Sequence, residues 1–463
     1  MRASGIAFAF LFSMMIDPLL RAENTEAQQK TATEAKQAFV NAFRAADEVA
    51  LNNSYDAIMK NNPQDPDLPD FGSELGKLYA HAAMLRPNEM KDEAIRADAL
   101  LREFSPGGRY ADKPAAGWKQ IQHAEFLVNM GQETAARMIY RNLATYPQDA
   151  VFSRAVNKVI SNTEMTPADV KFWADAIEKR LPNISKANGL KGDLSLLRLW
   201  DSEAMHARRL AIEARVHQKK ADYLLSTGQI DQGLKEMKRI KDAADEYFSL
   251  IAAGKAPKEK PNSRGARYLK LSLAMAEAWL DNNRRAVEIT NELLNTMHAA
   301  KEGEPSLVAH VKYWQLITQD RVKTVPADEM EKRLFDLLSE GECGPHLACR
   351  VVERLAQIAE KKGNKALAHA YFRDLANALP DPSAALWARK QQQALENEQP
   401  ELKQQIAADP TGMAFLFAKE NDEATSQHDA ALAAGRLTGI RAFSNWREPQ
   451  YKTRLDEKDE DGV

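Results

Sequence analysis

A small residue recurs twelve positions after another small residue at five places along the chain: Ala82/Ala94, Ala124/Ala136, Ala221/Gly233, Ala274/Ala286 and Ala356/Ala368. In each copy an apolar residue follows seven positions later, at Leu101, Leu143, Ile240, Leu293 and Leu375. Two helices joined by a tight turn cross closely only where both present a small side chain at the contact. A constant offset between the two fixes where that contact falls. The pattern predicts an all-α chain of stacked helical hairpins, in which each repeat contacts its neighbours and the array presents surface to other molecules. A generic all-α bundle with fortuitous spacing is the alternative.

The clearest copy runs from Cys349 to Pro380. Val351, Val352, Leu355, Ile358 and Ala359 make one apolar helical face. Lys361 and Lys362 suit a helix C-terminus, and Gly363 can adopt the left-handed conformation that stops it. Leu367, Ala368, Phe372 and Leu375 then mark a second helix, ended by Leu379-Pro380-Asp381-Pro382. A second copy spans Gly117 to Pro147, with the turn at Gly131. The remaining copies are weaker. Glu89 replaces the turn glycine after Ala82, Gly228 is kept after Ala221, and Asp281-Asn282-Asn283 forms the turn after Ala274.

In these residues the chain resembles the tetratricopeptide repeat family. That family's hairpin has small residues at both crossing positions, a turn glycine, an aromatic four residues after the second small residue, and a closing proline. Ala356, Gly363, Ala368, Phe372 and Pro380 match all of these, and Ala124, Gly131, Ala136 and Tyr140 match as well. The second small residues are separated by 42, 97, 53 and 82 positions, not by the family's 34. The aromatic signature of the first helix is mostly missing. The resemblance implies a degenerate, irregularly spaced α-solenoid whose first helices line a groove for a protein or peptide partner. Carrying over the family's contact positions gives Trp118, Ile121 and Glu125 in one copy, Arg215, Gln218 and Asp222 in another, and Arg350, Glu353 and Gln357 in the clearest. Core packing for Trp118 and Ile121, and a solvated face for the rest, is the competing interpretation.

The 463 residues carry 63 Lys plus Arg against 66 Asp plus Glu, a net charge of −3. No basic surplus is present for phosphate contacts, so nucleic acid is not an expected partner. Long alternating Val, Ile and Thr runs are absent, and essentially no sheet is expected. Residues 1–22 read as an export signal: Arg2, an apolar run from Ile6 to Ile16, the break at Asp17-Pro18, and Ala22 before a cut. The run is too short to span a bilayer comfortably. No transmembrane span is expected in the mature chain, which is placed in the periplasm or outside the cell.

The organisation read from the chain is a disordered linker at 23–33 and an N-terminal helical block at 34–253. A Pro- and Lys-containing linker at 254–265 forms the best candidate boundary. A second helical block at 266–400 follows, then capping helices and an acidic tail at 401–463. Thr166-Pro167-Ala168-Asp169 reads as a helix start. Residues 183–193 show no strong pattern.

The only two cysteines are Cys343 and Cys349. In an exported protein a disulfide is the expectation, with Gly344-Pro345 letting the chain turn back. Unpaired thiols, or a metal site with His346 between them, are the other possibilities; three ligands fall short of the four of structural zinc. The nine histidines are scattered. No nucleophile-elbow, phosphate-loop or dinucleotide motif is present. No cofactor is expected. The leading expectation is a non-catalytic scaffold that binds another protein or organises an assembly in the bacterial cell envelope. An envelope polysaccharide- or peptidoglycan-acting enzyme and a structural homo-oligomer subunit are the alternatives.

Overall fold

A computed structural model describes residues 33–43, 45–184, 188–256, 260–300, 305–339, 343, 345–378 and 382–405. The segment 1–22, expected as the signal, and residues 406–463 of the expected capping and tail region lie outside the described residues. The described residues are helical and contain no strand. The chain divides into two compact units between Leu78 and Tyr79.

In the first unit, α1 (33–43) and α2 (Glu48–Asn61) precede the start of α3 (Leu68–Leu85). Asp47 caps α2 by accepting from the Ala50 amide at 3.0 Å. Phe39 is buried and meets Phe71 edge-on, with ring centroids 4.8 Å apart. Lys36 closes the unit by pairing with Asp65 at 2.7 Å and Asp67 at 2.8 Å.

The second unit continues through α4 (Lys91–Arg102), α5 (Ala116–Asn129), α6 (Glu133–Leu143), α7 (Asp149–Asn162), α8 (Pro167–Arg180) and α9 (Asn188–Arg198). It then runs through α10 (Glu203–Ser226), α11 (Ile230–Ala252), α12 (Arg264–Trp279), α13 (Asn283–Ala300) and α14 (Pro305–Arg321). The last elements are α15 (Ala327–Ser339), α16 (Pro345–Lys361), α17 (Lys365–Ala378), α18 (Pro382–Glu398) and the short α19 (Leu402–Gln405). Neighbouring helices pack in pairs: α5 on α6, α10 on α11, α12 on α13, α16 on α17. This is an all-α, solenoid-like stack of hairpins.

The small residues sit where the spacing places them. Ala124, Ala136, Ala221, Ala274, Ala286, Ala356 and Ala368 are buried. A Cβ on Gly233 would approach the Leu225 side chain to 2.6 Å, so the helices of that hairpin are in contact at glycine. The apolar followers Leu101, Leu143, Ile240, Leu293 and Leu375 are buried too. Ala94 is only half-buried, in the copy that lacks a turn glycine.

The turns share one hydrogen-bond pattern. Gln132 donates to the Leu127 carbonyl at 2.8 Å, Gln229 to Leu224 at 2.8 Å, Asn282 to Glu277 at 2.8 Å, and Asn364 to Ala359 at 2.9 Å. These six-to-one bonds satisfy orphan helix carbonyls and need a left-handed residue just before the donor. Gly131, Gly228, Asp281 and Gly363 supply it, with φ of 71°, 78°, 64° and 76°. Lys323 does the same between α14 and α15, at φ 54°, with Thr324 donating to the Gln319 carbonyl at 3.0 Å. An added Cβ at Gly363 meets nothing within 4 Å, so Gly363→Ala isolates the backbone cost of about 1 kcal/mol. Lys323→Gly should gain about 0.5–1 kcal/mol by the same reasoning. Urea unfolding of the two variants is expected to shift midpoints in opposite directions.

Thr166 caps α8 in a capping box: its hydroxyl accepts from the Asp169 amide at 3.2 Å, and the Asp169 carboxylate accepts from the Thr166 amide at 3.1 Å. The segment 254–265 does not separate two cores. One apolar cluster runs from Ala207 and Leu210 on α10 through Tyr247 on α11 to Ala266, Leu269 and Ile289 on α12 and α13. The connection is polar because it crosses the surface, while the helices on either side pack directly.

The expected disulfide is not formed. Pro345 opens α16, which carries Cys349. Cys349 then faces the core from the second turn. The Cys343 thiol donates to the Leu337 carbonyl at 3.4 Å, and both thiols are buried.

The last hairpin of the second unit returns to its first. Trp387 on α18 donates its indole N–H to Glu89 at 3.0 Å, and the Gln391 amide donates to the same oxygen at 2.7 Å. Lys390 pairs with the fully buried Glu93 on α4. Arg86 pairs with Glu353 on α16.

Candidate functional site

A common register places the residues of the first helices. Counting from the buried small residue, positions six before, three before and one after give Trp118, Ile121 and Glu125 on α5. The same positions give Arg215, Gln218 and Asp222 on α10, and Arg350, Glu353 and Gln357 on α16. The left-handed Lys323 sets the register of α14, where Leu316 replaces the small residue and His310, Tyr313 and Ile317 take the three positions.

Helix α10 joins two charged neighbourhoods, because Arg215, Gln218, Lys219 and Asp222 follow three- and four-residue spacing and share one face. At one end, Glu125 pairs with Lys158 of α7. Lys219 lies within electrostatic range of Glu125, Lys158 and Arg215, and its amine is 3.5 Å from the Asn162 side-chain oxygen. Burial brings the Lys219 pKa down to about 8, with Glu125 opposing the shift and the two neighbouring cations adding to it.

In the middle, Gln218 accepts from the Ser272 hydroxyl and donates to the Met275 sulfur at 3.6 Å, which ties α10 to α12. At the other end, Asp222 meets the field of Arg350, contributed by a hairpin far along the chain. Protein packed around the half-exposed Asp222 pushes its carboxyl up, against the pull of Arg350. Arg350 also acts on His310, Tyr313 and Arg86. Burial lowers the His310 imidazole, and Arg350 lowers it further; its Nδ1–H donates to the Ser306 carbonyl at 2.7 Å. Burial raises the Tyr313 phenol, whose side chain is 8% exposed.

Asp222 therefore lies within electrostatic range of Arg350, and Lys219 within range of both Glu125 and Arg215. Neither Asp222 nor Arg350 makes a hydrogen bond or ion pair among the described residues, nor does Arg215. Glu353 is occupied by Arg86, and the exposed Gln357 accepts from Arg354 at 3.2 Å. Ile121 belongs to the core at 3% exposure, and Trp118 is half-buried. Sequence reasoning did not pick out Arg86, Lys158, Lys219, His310 or Tyr313. His310 and Tyr313 carry a usable signal, since the α14 hairpin repeats the register with a lysine at the turn.

Behind this face a cavity of about 440 Å³ is lined by residues including Arg137, Arg209, Arg239, Trp200 and His217. Its arginines are committed elsewhere: Arg137 to Glu133 at 2.6 Å, Arg209 to the Trp200 carbonyl, Arg239 to Glu236 at 3.2 Å. His217 Nδ1 lies 2.6 Å from Glu236. These wall side chains are thus already engaged by neighbouring groups. Among the described residues no group of three or more His, Cys, Asp or Glu is placed to hold a metal ion. No helix among them is long and apolar enough to cross a membrane.

Carboxylates around α10 set the acid response. Glu133 takes Arg137 and Lys220 (2.9 Å) as cations and accepts from the Glu164 amide at 2.8 Å. Burial opposes ionisation there, yet those bonds hold its carboxyl below the ordinary range. Asp169 is likewise held low against burial by Thr166, Arg141 and Arg137. Asp98 is held low first by its hydrogen bond to His123 at 2.7 Å. A carboxylate depressed in the folded state adds stability that is present above its unfolded pKa of roughly 4 and is lost as pH falls through the folded value. The urea midpoint should therefore be flat in this contribution above about pH 5 and decline below about pH 4.

No family model matches this chain, and no curated protein matches it.

Proposed function

We propose that the chain is a non-catalytic, tetratricopeptide-like scaffold that binds a polypeptide segment of another protein along the α10–α14–α16 face. The observation that carries this reading is the pair Asp222 and Arg350. Two charged, partly buried side chains from separate hairpins lie within electrostatic range of each other, and neither pairs with another side chain among the described residues. Withdrawing charge from water without pairing it costs stability. A bound segment can supply the missing partners, since a polypeptide offers hydrogen-bond donors and acceptors at every residue. The setting we propose is the bacterial cell envelope, supported by the signal-like residues 1–22.

A photoreactive residue placed at Gln357 or Ile317 tests this in the cells that make the protein. Adducts of one discrete mass are expected from these positions and not from Met138, an exposed residue on the second helix of its hairpin. Equal labelling from Met138, or no adduct from either face position, speaks against the reading.

A further inference from the structure

We infer that the segment bound on this face is acidic, with one carboxylate seated at Arg350 beside Tyr313 and a second near Arg215 and Lys219. This rests on the polypeptide-binding reading above and adds the chemistry of the ligand.

The charges of the face do not cancel. Its carboxylates Glu125, Glu353 and Asp320 are each matched by a cation, Lys158, Arg86 and Arg354 respectively. Asp222 is the remaining acid, and the packing around it disfavours its charged form. Among the described residues Arg215 and Arg350 have no acceptor, and Lys219 has only the long contact to Asn162. Positive charge is left over on a chain whose net charge is −3, so the excess is local.

The Arg350 end has a built element. Tyr313 is more than nine-tenths buried, yet its hydroxyl makes no hydrogen bond among the described residues and keeps some contact with solvent. It is therefore an available donor on α14, the helix whose Asp320 pairs with Arg354, one turn from Arg350 on α16. A planar guanidinium fork and a phenol O–H suit a carboxylate, which accepts on both oxygens. Partial burial strengthens such a contact relative to open water.

Spacing narrows the ligand further. From Arg215 to Asp222, where Arg350 acts, α10 rises by roughly 10 Å at about 1.5 Å per residue. A peptide in polyproline II form covers that distance in about three residues at about 3.1 Å each, and its three residues per turn return every third side chain to one face. Carboxylates three positions apart would reach both ends at once.

The test uses fluorescence anisotropy on the purified chain with labelled twelve-residue peptides. One carries Glu at every third position; the others carry Gln or Lys there, and a thymidine oligonucleotide serves as a non-peptide polyanion. The Glu peptide should bind at least about tenfold more tightly than the Gln peptide, with affinity falling as salt rises. Arg350→Gln and Arg215→Gln should each erase most of that preference, and Arg350→Lys should restore part of it. Removing either arginine strands no protein partner, so circular dichroism should be unchanged. Peptides that bind without regard to charge, or a preference for the Lys peptide, would overturn the inference and leave polypeptide binding standing. Equal affinity for the oligonucleotide would overturn it as well, because bulk polyanion attraction would then suffice. Failure of every peptide to bind would remove both readings.

Discussion

Lys390→Met should destabilise the second unit by about 3–5 kcal/mol, because it leaves the Glu93 carboxylate buried without a cation. Glu93 has no exposed surface, and one of its oxygens already lacks a hydrogen-bond partner. Lys390 supplies charge to the other. The pair joins α18 to α4, beside the bonds from Trp387 and Gln391 to Glu89, so its loss should loosen the contact between the first and last hairpins. The double variant Glu93→Gln/Lys390→Met should recover much of the loss, since it removes the buried charge along with its partner. Chemical denaturation of the two single variants and the double variant closes the cycle. A Lys390→Met protein with unchanged stability would mean that Glu93 is not sealed against α18.

Ala368→Leu should cost roughly 1–3 kcal/mol by overpacking the α16–α17 crossing. Ala368 is fully buried, Ala356 on the facing helix is 2% exposed, and the two helices pack along their length. The crossing has no room for three further carbon atoms unless the helices separate, and separation would disturb Leu355 and Leu375, which are buried beside it. Ala366, two residues away on the same helix, is exposed. Ala366→Leu therefore makes the same change in helix propensity without the packing cost, and should lie within about 0.5 kcal/mol of the parent. Urea midpoints of the two variants report the difference directly. Equal midpoints would show that small size at position 368 is incidental.

The hairpins were legible because two local constraints coincide in sequence, a small residue at the crossing and a left-handed residue at the turn. Where both hold, as at Ala124, Gly131 and Ala136, the residues occupy the predicted places. Where one fails, legibility fails with it. The α14–α15 hairpin has Leu316 at the first small position and Lys323 at the turn, so spacing alone passes over it. Its existence is secured by tertiary contacts of α14 with α12, α13 and α15. Helix α9 escaped notice because Gly189 and Gly192 weaken its propensity, while Leu190, Leu194 and Leu197 anchor it in the core. The boundary expected at 254–265 reflected surface composition and not a break in packing.

The helix positions of the candidate residues follow from the shared register, and their charge pairing does not. The shared register led to Arg215, Asp222 and Arg350. Which of the ions there stay unpaired depends on Arg86, Lys158 and Arg354, brought in by other helices. No spacing rule along one helix encodes those pairings. The disulfide expectation weighs compartment and proximity in sequence; in the structure both thiols are buried.

The central claim is that the hairpins stack in chain order, and zero-length carbodiimide cross-linking with mass spectrometry tests it most directly. The structure sets lysines of one helix against carboxylates of a neighbouring element: Lys158 with Glu125, Lys220 with Glu164 at 3.2 Å, Lys270 with Glu292, Lys362 with Glu331 at 2.7 Å, and Lys365 with Glu398 at 2.7 Å. Amide links at these pairs, joined by Lys390 to Glu93 where the last hairpin meets the first, are the predicted result. Links that skip between hairpins distant in the stack, with these pairs absent, would contradict it.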